Sequence, residues 1–221
     1  MYAEILTVGD ELLTGNTVDS NSAFIAKKLT EMGYWVRRKV TVGDDVDEIE
    51  VAVRESLERK PEVLIISGGL GPTHDDVTMT AVARAVGREL VLCEGCLKRI
   101  GDFYRALYEK GMIDDPELNK GRRKMAYLPE GAEPLENTEG AAPGAYIEHG
   151  GVKIFVLPGM PREMKAMLEK EVLPRLGKRT FIQRKLLAEI TDESKLAPLL
   201  VETIQKFSVK IHSSPRGSAD I

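Results

Sequence analysis

The 221-residue sequence contains only two cysteines, three histidines and one tryptophan. Two cysteines cannot supply the disulfide framework that holds many small secreted domains together. No apolar run approaches the roughly 20 residues of a membrane-spanning helix, so we expect no membrane partner. The N-terminus has no basic segment followed by an apolar stretch, so it predicts no signal peptide and a cytoplasmic location.

An excess of positive charge is also absent, since the net charge is −4 and the isoelectric point is about 5.6. A surface devoted to DNA or RNA would need the opposite sign, so we do not expect a nucleic-acid partner. An anionic small molecule is not excluded, because glycine loops and helix N-termini bind phosphate without net positive charge. With 43% hydrophobic residues, the chain can bury a sizeable core.

Short apolar runs alternate with segments of helical periodicity along most of the chain. The pattern predicts strands at 5–8, 35–42, 63–66 and 152–157. It predicts helices at 19–32, after 45, around 79–86, within 97–125 with an interruption near Gly111, and after 161. Residues 129–151 are rich in Gly, Pro and Ala and predict a loop and a hairpin. The alternation predicts an α/β fold with a mostly parallel sheet between two layers of helices.

The character of the sequence changes after Pro174. We therefore assign residues 1–175 to the main α/β domain and residues 176–221 to a small C-terminal lobe. Within this lobe the pattern predicts a strand at 180–190, a helix at 193–207 and a strand at 208–212. These elements are too few for a hydrophobic core of their own.

Three loops leave the predicted strands at the edge where ligands bind to open α/β sheets. They comprise residues 9–11, 67–76 and 157–161. Because the carboxyl ends of parallel strands lie at one edge, we expect the three loops to meet.

The strongest motif runs from Ser67 to Thr78 and contains glycines that let backbone N–H groups approach a phosphate. Its candidate substrate-binding residues are Gly68, Gly69, Gly71 and Thr73. Phosphate binding alone does not need Asp75 and Asp76, so these carboxylates favour a bridging divalent metal such as Mg²⁺, Mn²⁺ or Co²⁺. The alternative is that one or both carboxylates cap the following helix.

The other two loops each allow two interpretations. Asp10 and Glu11 could complete the metal site or hold a ribose hydroxyl, but both residue types are also common in turns. Pro158 and Gly159 precede a proline that can open a helix, which would make a second anion-binding helix start. A tight turn without any ligand explains the same residues.

Three further features have both a structural and a functional explanation. Asp44 and Asp45 stand where a helix begins, and capping is their simplest role. The basic run 120–124 forms either a solvated helix face or a group that neutralises substrate phosphates. Cys93 and Cys96 form a CxxC sequence that fits incidental thiols, a local disulfide or a redox pair, but lacks the ligands of a structural zinc site.

Four motifs together resemble the N-terminal domain of the CinA (competence/damage-inducible protein) family, which is related to the MogA/MoaB molybdopterin-binding proteins. The motifs are 9–13 with 19–22, 68–78, 137–144 and 157–164. The resemblance implies a three-layer α/β/α sandwich, a KH-like C-terminal lobe and ligand contacts at Asn137 and Gly140. In MogA-like proteins two aspartates matter for the reaction, and they match Asp44 and Asp76. Ala141 departs from the family motif, which has a threonine there.

The resemblance implies two activities that both act on a phosphate group. CinA-like domains are associated with metal-dependent hydrolysis of ADP-ribose to AMP and ribose 5-phosphate, and this is the function that we expect. The alternative is molybdopterin binding or adenylation in molybdenum cofactor biosynthesis. The expected partner is therefore a nucleotide or pterin phosphate, and we expect the protein to be a homo-oligomer.

Overall fold

The computed structural model describes residues 2–177, 192–207 and the single residues 184, 186, 209 and 211. The chain divides into two compact units, Met1–Phe181 and Ile182–Ile221. Our boundary between residues 175 and 176 stays a prediction, because most residues from 178 to 191 lie outside the described part.

The first unit is organised around a six-stranded sheet. Its strands are β1 (Tyr2–Val8), β2 (Trp35–Val42), β3 (Val63–Ser67), β6 (Glu133–Leu135), β7 (Gly144–His149) and β8 (Val152–Leu157). They lie in the order β2-β1-β3-β8-β7-β6, in which β2, β1, β3 and β8 run parallel, whereas β7 pairs antiparallel with both β8 and β6. A separate antiparallel ribbon consists of β4 (Leu90–Leu92) and β5 (Tyr127–Pro129).

Helices connect the strands and flank the sheet. They are α1 (Asp10–Leu13), α2 (Ser20–Glu31), α3 (Val46–Arg59), α4 (Thr78–Ala85), α5 (Glu94–Glu109), α6 (Lys120–Lys124), α7 (Pro161–Met167) and α8 (Leu173–Leu176). A π-helical segment, Leu168–Val172, joins α7 to α8. Among the described residues, no helix is both long and apolar enough to cross a membrane.

The central strand β3 explains the three layers, because all five of its residues are buried. Leu64 and Ile66 belong to an apolar cluster that includes Ile49 of α3 and Val82 of α4. Val63 and Ile65 belong to a second cluster, which includes Ile25 and Leu29 of α2 and Met164 of α7. Since alternate residues of a strand point to opposite faces, the sheet is covered on both sides. The predicted three-layer α/β/α fold is confirmed.

Two parts of the sequence-based prediction need correction. The predicted helical region 97–125 does break near Gly111, as expected, but α5 begins earlier, at Glu94, and after it ends at Glu109 only the five-residue α6 follows. The region 129–151 is not only a loop and a hairpin, because β6 and β7 extend the main sheet. The pattern missed β4 and β6 because each has three residues, too few to show a period.

In the second unit the structure contains α9 (Ala197–Phe207), preceded by a 3₁₀ turn at Glu193–Lys195. This confirms the helix that the periodicity predicted over 193–207. The two predicted strands, 180–190 and 208–212, fall outside the described residues except at a few single positions. The KH-like arrangement of this lobe therefore stays a prediction.

Candidate functional site

The three predicted loops line one cavity of about 650 Å³ at the carboxyl ends of β1, β3 and β8. It is the larger of two cavities described in this part of the chain. Its lining includes Gly9, Glu11, Asp44, Gly68, Gly69, Gly71, Asp75, Asp76, Gly140, Pro158 and Gly159 from the predicted site. Three other predicted residues, Asp10, Thr73 and Asn137, are not among the lining residues.

The glycine loop after β3 is held tightly between its neighbours. A Cβ atom at Gly68 would lie 2.1 Å from the backbone oxygen of Val8, and the residue has a φ of +122°. Gly68 N donates to Leu157 O at 3.0 Å, so the loop is fixed to the end of β8. Only glycine fits this position, because both its conformation and the close backbone exclude a side chain.

The loop leaves backbone donors available at the cavity. The N–H groups of Gly69, Leu70 and Gly71 donate to no other residue in the described part of the chain, and all three residues line the cavity. Successive backbone N–H groups of this kind form concave anion sites. The geometry of the loop is therefore suited to a phosphate group.

Asp75 and Asp76 do not cap the helix that follows them. α4 has Val77 at its N-cap position, without any side-chain hydrogen bond to the helix. The Asp76 carboxylate instead accepts a hydrogen bond from Thr73 N at 2.8 Å, and the Thr73 hydroxyl contacts both carboxylates. This hydroxyl donates to Asp75 and is the main cause that lowers the pKa of Asp75. The capping alternative for these two aspartates is wrong.

The pair Asp44 and Asp45 divides its roles. Asp45 is the N-cap of α3 and accepts hydrogen bonds from the backbone N–H groups of Asp47 and Glu48, at 2.9 and 3.0 Å. Asp44 is left for the cavity, where its carboxylate accepts from Asp10 N at 2.9 Å. In return, Asp44 N donates to the Asp10 carboxylate at 3.2 Å. Capping therefore explains Asp45 but not Asp44.

Asp44 lies in an environment that disfavours its negative charge. Burial is the main cause that raises the pKa of Asp44, and the charges of Asp10, Glu11 and Asp75 raise it further. The hydrogen bond from Asp10 N acts in the opposite direction. Four carboxylates are thus close enough to influence one another beside the glycine loop.

The described part of the chain contains no group of three or more His, Cys, Asp or Glu side chains that could hold a metal ion. A site of four carboxylates is therefore not formed here, but Mg²⁺ beside a phosphate needs only one or two carboxylates together with phosphate oxygens and waters. Asp75 and Asp76 both line the cavity and offer the oxygen ligands that hard divalent cations prefer. The residues fit such an ion, and the metal site at Asp10, Glu11, Asp75 and Asp76 stays a prediction.

Asn137 fixes a loop of the cavity from behind. Its side-chain oxygen accepts from Glu139 N and Gly140 N, at 3.1 and 2.9 Å. Its amide group donates to Ala142 O at 2.9 Å and to the Glu163 carboxylate at 2.7 Å. The side chain is buried and all these bonds are internal, so Asn137 positions residues 139–142 along the cavity wall. The structure does not place it where a ligand would touch it.

Asn21 was not among the predicted site residues, although it lies in one of the four motifs. Its amide group donates to Gly159 O at 2.7 Å and to Ser67 Oγ at 3.2 Å, so it ties two of the loops together. Its side-chain oxygen is buried without a hydrogen-bond partner among the described residues. The position of Asn21 in the run 19–22, next to the N-cap Asp19, was the available signal.

Helix residues also contribute to the cavity and were not predicted. Phe103 and Tyr104 of α5 and Met125 after α6 form an apolar part of the wall. The guanidinium of Arg122 lies 3.9 Å from the centre of the Tyr104 ring, which holds this ring in place. These residues are distant in sequence from every glycine loop, so no motif pointed to them.

Comparisons with known proteins agree with this fold. A family model described as "Probable molybdopterin binding domain" matches residues 4–178. Protein TK1472 of Thermococcus kodakarensis is 78% identical over 217 residues, which are 98% of this chain and 86% of that protein. Protein SSO0103 of Saccharolobus solfataricus is 41% identical over 218 residues, which are 97% of this chain and 78% of that protein.

Two solved structures extend the comparison. The protein CinA from Thermoplasma acidophilum, described as having unknown function, is 43% identical and has a TM-score of 0.67. That match covers 76% of this chain and 94% of the CinA chain. MoaB, a molybdopterin biosynthesis enzyme from Thermus thermophilus, shares the fold at 21% identity and a TM-score of 0.51, over 80% and 94% of the two chains. The chain therefore belongs to the molybdopterin-binding domain family and resembles its CinA-like members.

Proposed function

We propose that the larger cavity binds a nucleotide or pterin phosphate, with a phosphate group at the N–H groups of Gly69, Leu70 and Gly71. These donors are unused within the described residues, and the three residues line a space large enough for a small metabolite. The helix α4 follows the loop directly, and its N-terminal end adds a favourable partial charge.

The proposed reaction is metal-dependent hydrolysis of the phosphoanhydride in a nucleoside diphosphate sugar such as ADP-ribose, giving AMP and ribose 5-phosphate. One observation carries this proposal: Asp44, Asp75 and Asp76 line the same cavity as the phosphate-binding loop. Three carboxylates would repel a phosphate in the absence of a compensating cation. A site built only to hold phosphate would not need them.

Asp75 and Asp76 are the residues that would hold a divalent ion, with Glu11 at the same cavity. Such an ion, when bound, would supply positive charge at the phosphoanhydride and acidify a bound water. The free N–H groups of the glycine loop can stabilise the negative charge that develops on the phosphate oxygens.

Asp44 is the residue best placed to accept a proton from the attacking water. A general base works best when its pKa lies near the working pH, and the environment of Asp44 raises its pKa towards that range. Its hydrogen bond from Asp10 N holds one carboxylate oxygen in a fixed orientation. The second oxygen is not engaged by any hydrogen bond to another described residue.

The test is incubation of the purified protein with ADP-ribose and Mg²⁺, Mn²⁺ or Co²⁺, followed by chromatography of the nucleotides. We expect release of AMP that stops when a chelator is added. A protein that binds ADP-ribose but releases no AMP with any of these ions would exclude the hydrolysis and leave only a binding function.

A second candidate is binding or adenylation of molybdopterin. The observations that favour it are the family match and the apolar wall formed by Phe103, Tyr104 and Met125, which offers a surface for a flat ring. Purified protein should then carry pterin fluorescence, or form an adenylate when given ATP and molybdopterin. If neither ATP nor molybdopterin binds, this candidate fails. The expected homo-oligomer stays a prediction, and light scattering of the purified protein will test it.

A further inference from the structure

A second cavity, of about 330 Å³, shares a wall with the proposed active site. The wall that the two cavities have in common consists of Gly69, Leu70, Gly71, Asp76 and Met125. Apart from Thr80, the remaining lining of the second cavity consists of largely apolar residues and of basic residues of α6. The largely apolar residues are Met79, Leu90, Tyr127 and Pro143, and the basic residues are Lys120, Arg123 and Lys124.

α6 is fixed against the glycine loop by two contacts. A Cβ atom at Gly121 would lie 2.5 Å from the backbone oxygen of Pro72, so the two segments of backbone are in close contact. Lys124 Nζ donates to Asp76 O at 2.8 Å and also to Thr73 O. The basic residues therefore have a set position relative to the loop that we propose holds a phosphate.

The basic residues of α6 differ in whether their side chains have hydrogen-bond or ion-pair partners. Arg122 donates to the backbone oxygens of Asp115 and Glu117, both at 2.7 Å, and covers Tyr104. Lys120 and Arg123 differ, because neither side chain forms a hydrogen bond or an ion pair with any other residue that the structure describes. Lysine and arginine on an ordinary solvated face commonly find an acidic neighbour on the same helix. α6 contains no acidic residue.

We propose that the second cavity is an anion subsite in which Lys120 and Arg123 bind the distal phosphate of a ligand whose first phosphate lies at the glycine loop. The subsite gives the protein a preference for ligands with two linked phosphates over monophosphates. It rests on the proposed function only for the position of the first phosphate. Arg123 can bind a phosphate through two parallel hydrogen bonds, which accounts for an arginine beside the lysines.

The negative and positive side chains lie on different sides of the wall that the two cavities share. The carboxylates of Asp44 and Asp75 line only the larger cavity, whereas Lys120 and Arg123 line only the second. A diphosphate bound at Gly69, Leu70 and Gly71, which line both cavities, would have carboxylates on one side and cations on the other. Burial lowers the pKa of Lys124, but its two bonds to the loop oppose a role as a free phosphate ligand.

The direct test is calorimetric binding of inorganic pyrophosphate, with and without Mg²⁺, to the unmodified protein and to Arg123→Gln and Lys120→Gln. Lys98→Gln is the matched control, because Lys98 is an exposed lysine of α5 that lines neither cavity. We expect about tenfold weaker binding for each subsite variant, as for loss of one charged hydrogen bond, and no change for the control. Binding within twofold of the unmodified protein for both subsite variants, or no binding by the unmodified protein, would overturn the subsite.

A kinetic measurement separates this inference from the proposed reaction. If ADP-ribose is hydrolysed, Arg123→Gln should lower kcat/KM, because both phosphates of the anhydride take part: water attacks one, and the other leaves with the electrons of the broken P–O bond and gains negative charge. AMP release with an unchanged kcat/KM would leave the hydrolysis intact and exclude the subsite. Pyrophosphate binding that depends on Arg123, without any AMP release, would keep the subsite and exclude the hydrolysis.

Discussion

Replacing Asp76 with asparagine separates the structural role of this residue from its proposed catalytic role. The carboxylate accepts the hydrogen bond from Thr73 N at 2.8 Å, and asparagine keeps one oxygen that can accept the same bond. The two bonds from Lys124 to the loop are made to backbone oxygens, so the substitution does not remove them. The change therefore removes a negative charge from the wall between the two cavities and little else.

The two roles predict effects of different size. A hydrogen bond to a charged group contributes about 1.5–3 kcal/mol and one between neutral groups about 0.5–1.5 kcal/mol, so the stability cost is about 1 kcal/mol. For a domain of this size, that corresponds to a fall of about 2–4 °C in Tm. If Asp76 only shaped the loop, the same 1 kcal/mol would slow turnover about fivefold at most. Loss of a group that acts on the reacting phosphate costs about 100-fold or more.

The assay measures Tm and kcat for ADP-ribose on the same preparations. Asp45→Asn is the matched control, because Asp45 caps α3 at an exposed position outside the cavity and asparagine caps equally well. We expect the control to keep both values, and Asp76→Asn to keep its Tm within about 4 °C while losing about 100-fold in kcat. A variant that retains at least one fifth of the turnover would refute the catalytic assignment of Asp76.

Three further predictions concern other parts of the first unit. Arg59→Ala should lower the free energy of unfolding by about 3 kcal/mol in chemical denaturation, because it leaves the buried carboxylate of Glu4 without its partner; a loss below about 1 kcal/mol would contradict this. If ionised Asp44 is the base, activity is present above its raised pKa and is lost as the pH falls through it. Glu11→Gln removes a charge that raises this pKa, so the acid limb of kcat/KM against pH should move to lower pH, and an unmoved limb would count against the base. Cys93→Ser removes a disulfide that closes a short loop, and calorimetry should show about 2 kcal/mol lower stability than in the oxidised protein, but no loss relative to the reduced one.

The main layers of the fold could be predicted because their signals are local and strong. The apolar run at β3 and the periodicity of α2 and α3 each depend on burial against the sheet, and burial leaves a pattern in the sequence. The pairing of β7 with β8 could not be predicted in the same way. It depends on a hairpin turn at Gly150 and Gly151 and on which edge of the sheet is open, and only the turn is visible in the sequence.

The candidate site could be predicted where residues follow a strand and not where they come from helices. The glycine loop and Pro158 leave β3 and β8 at the same edge, so topology alone brings them together. Tyr104 and Arg123 reach the two cavities only because α5 and α6 fold back over the loop. The periodicity in that region indicated one interrupted helix, which would not have placed both residues there.

The covalent state of the two cysteines in the CxxC sequence also could not be predicted from the sequence. The spacing left incidental thiols, a local disulfide and a redox pair as alternatives, and the structure contains the local disulfide between Cys93 and Cys96. Cys93 is also the N-cap of α5, and its sulfur accepts from Cys96 N at 3.2 Å. The disulfide therefore fixes the first turn of α5, the helix that carries Tyr104 to the cavity.

The positions of the adjacent aspartates are the reason why we propose a cation at this cavity. A cap residue typically adopts an extended backbone conformation one position before the helix, and Asp45 does so with φ −112° and ψ 130°. Asp76 is one position too early, since α4 has Val77 as its N-cap and Thr78 N donates to Gly69 O. The carboxylates of Asp75 and Asp76 therefore contact Thr73, and both residues line the cavity. Asp44 does not cap α3, because Asp45 occupies the N-cap position. These negative charges, which no helix end neutralises, stand beside free N–H groups suited to phosphate, and a cation bound together with the phosphate would offset their repulsion, which is the basis of our proposal.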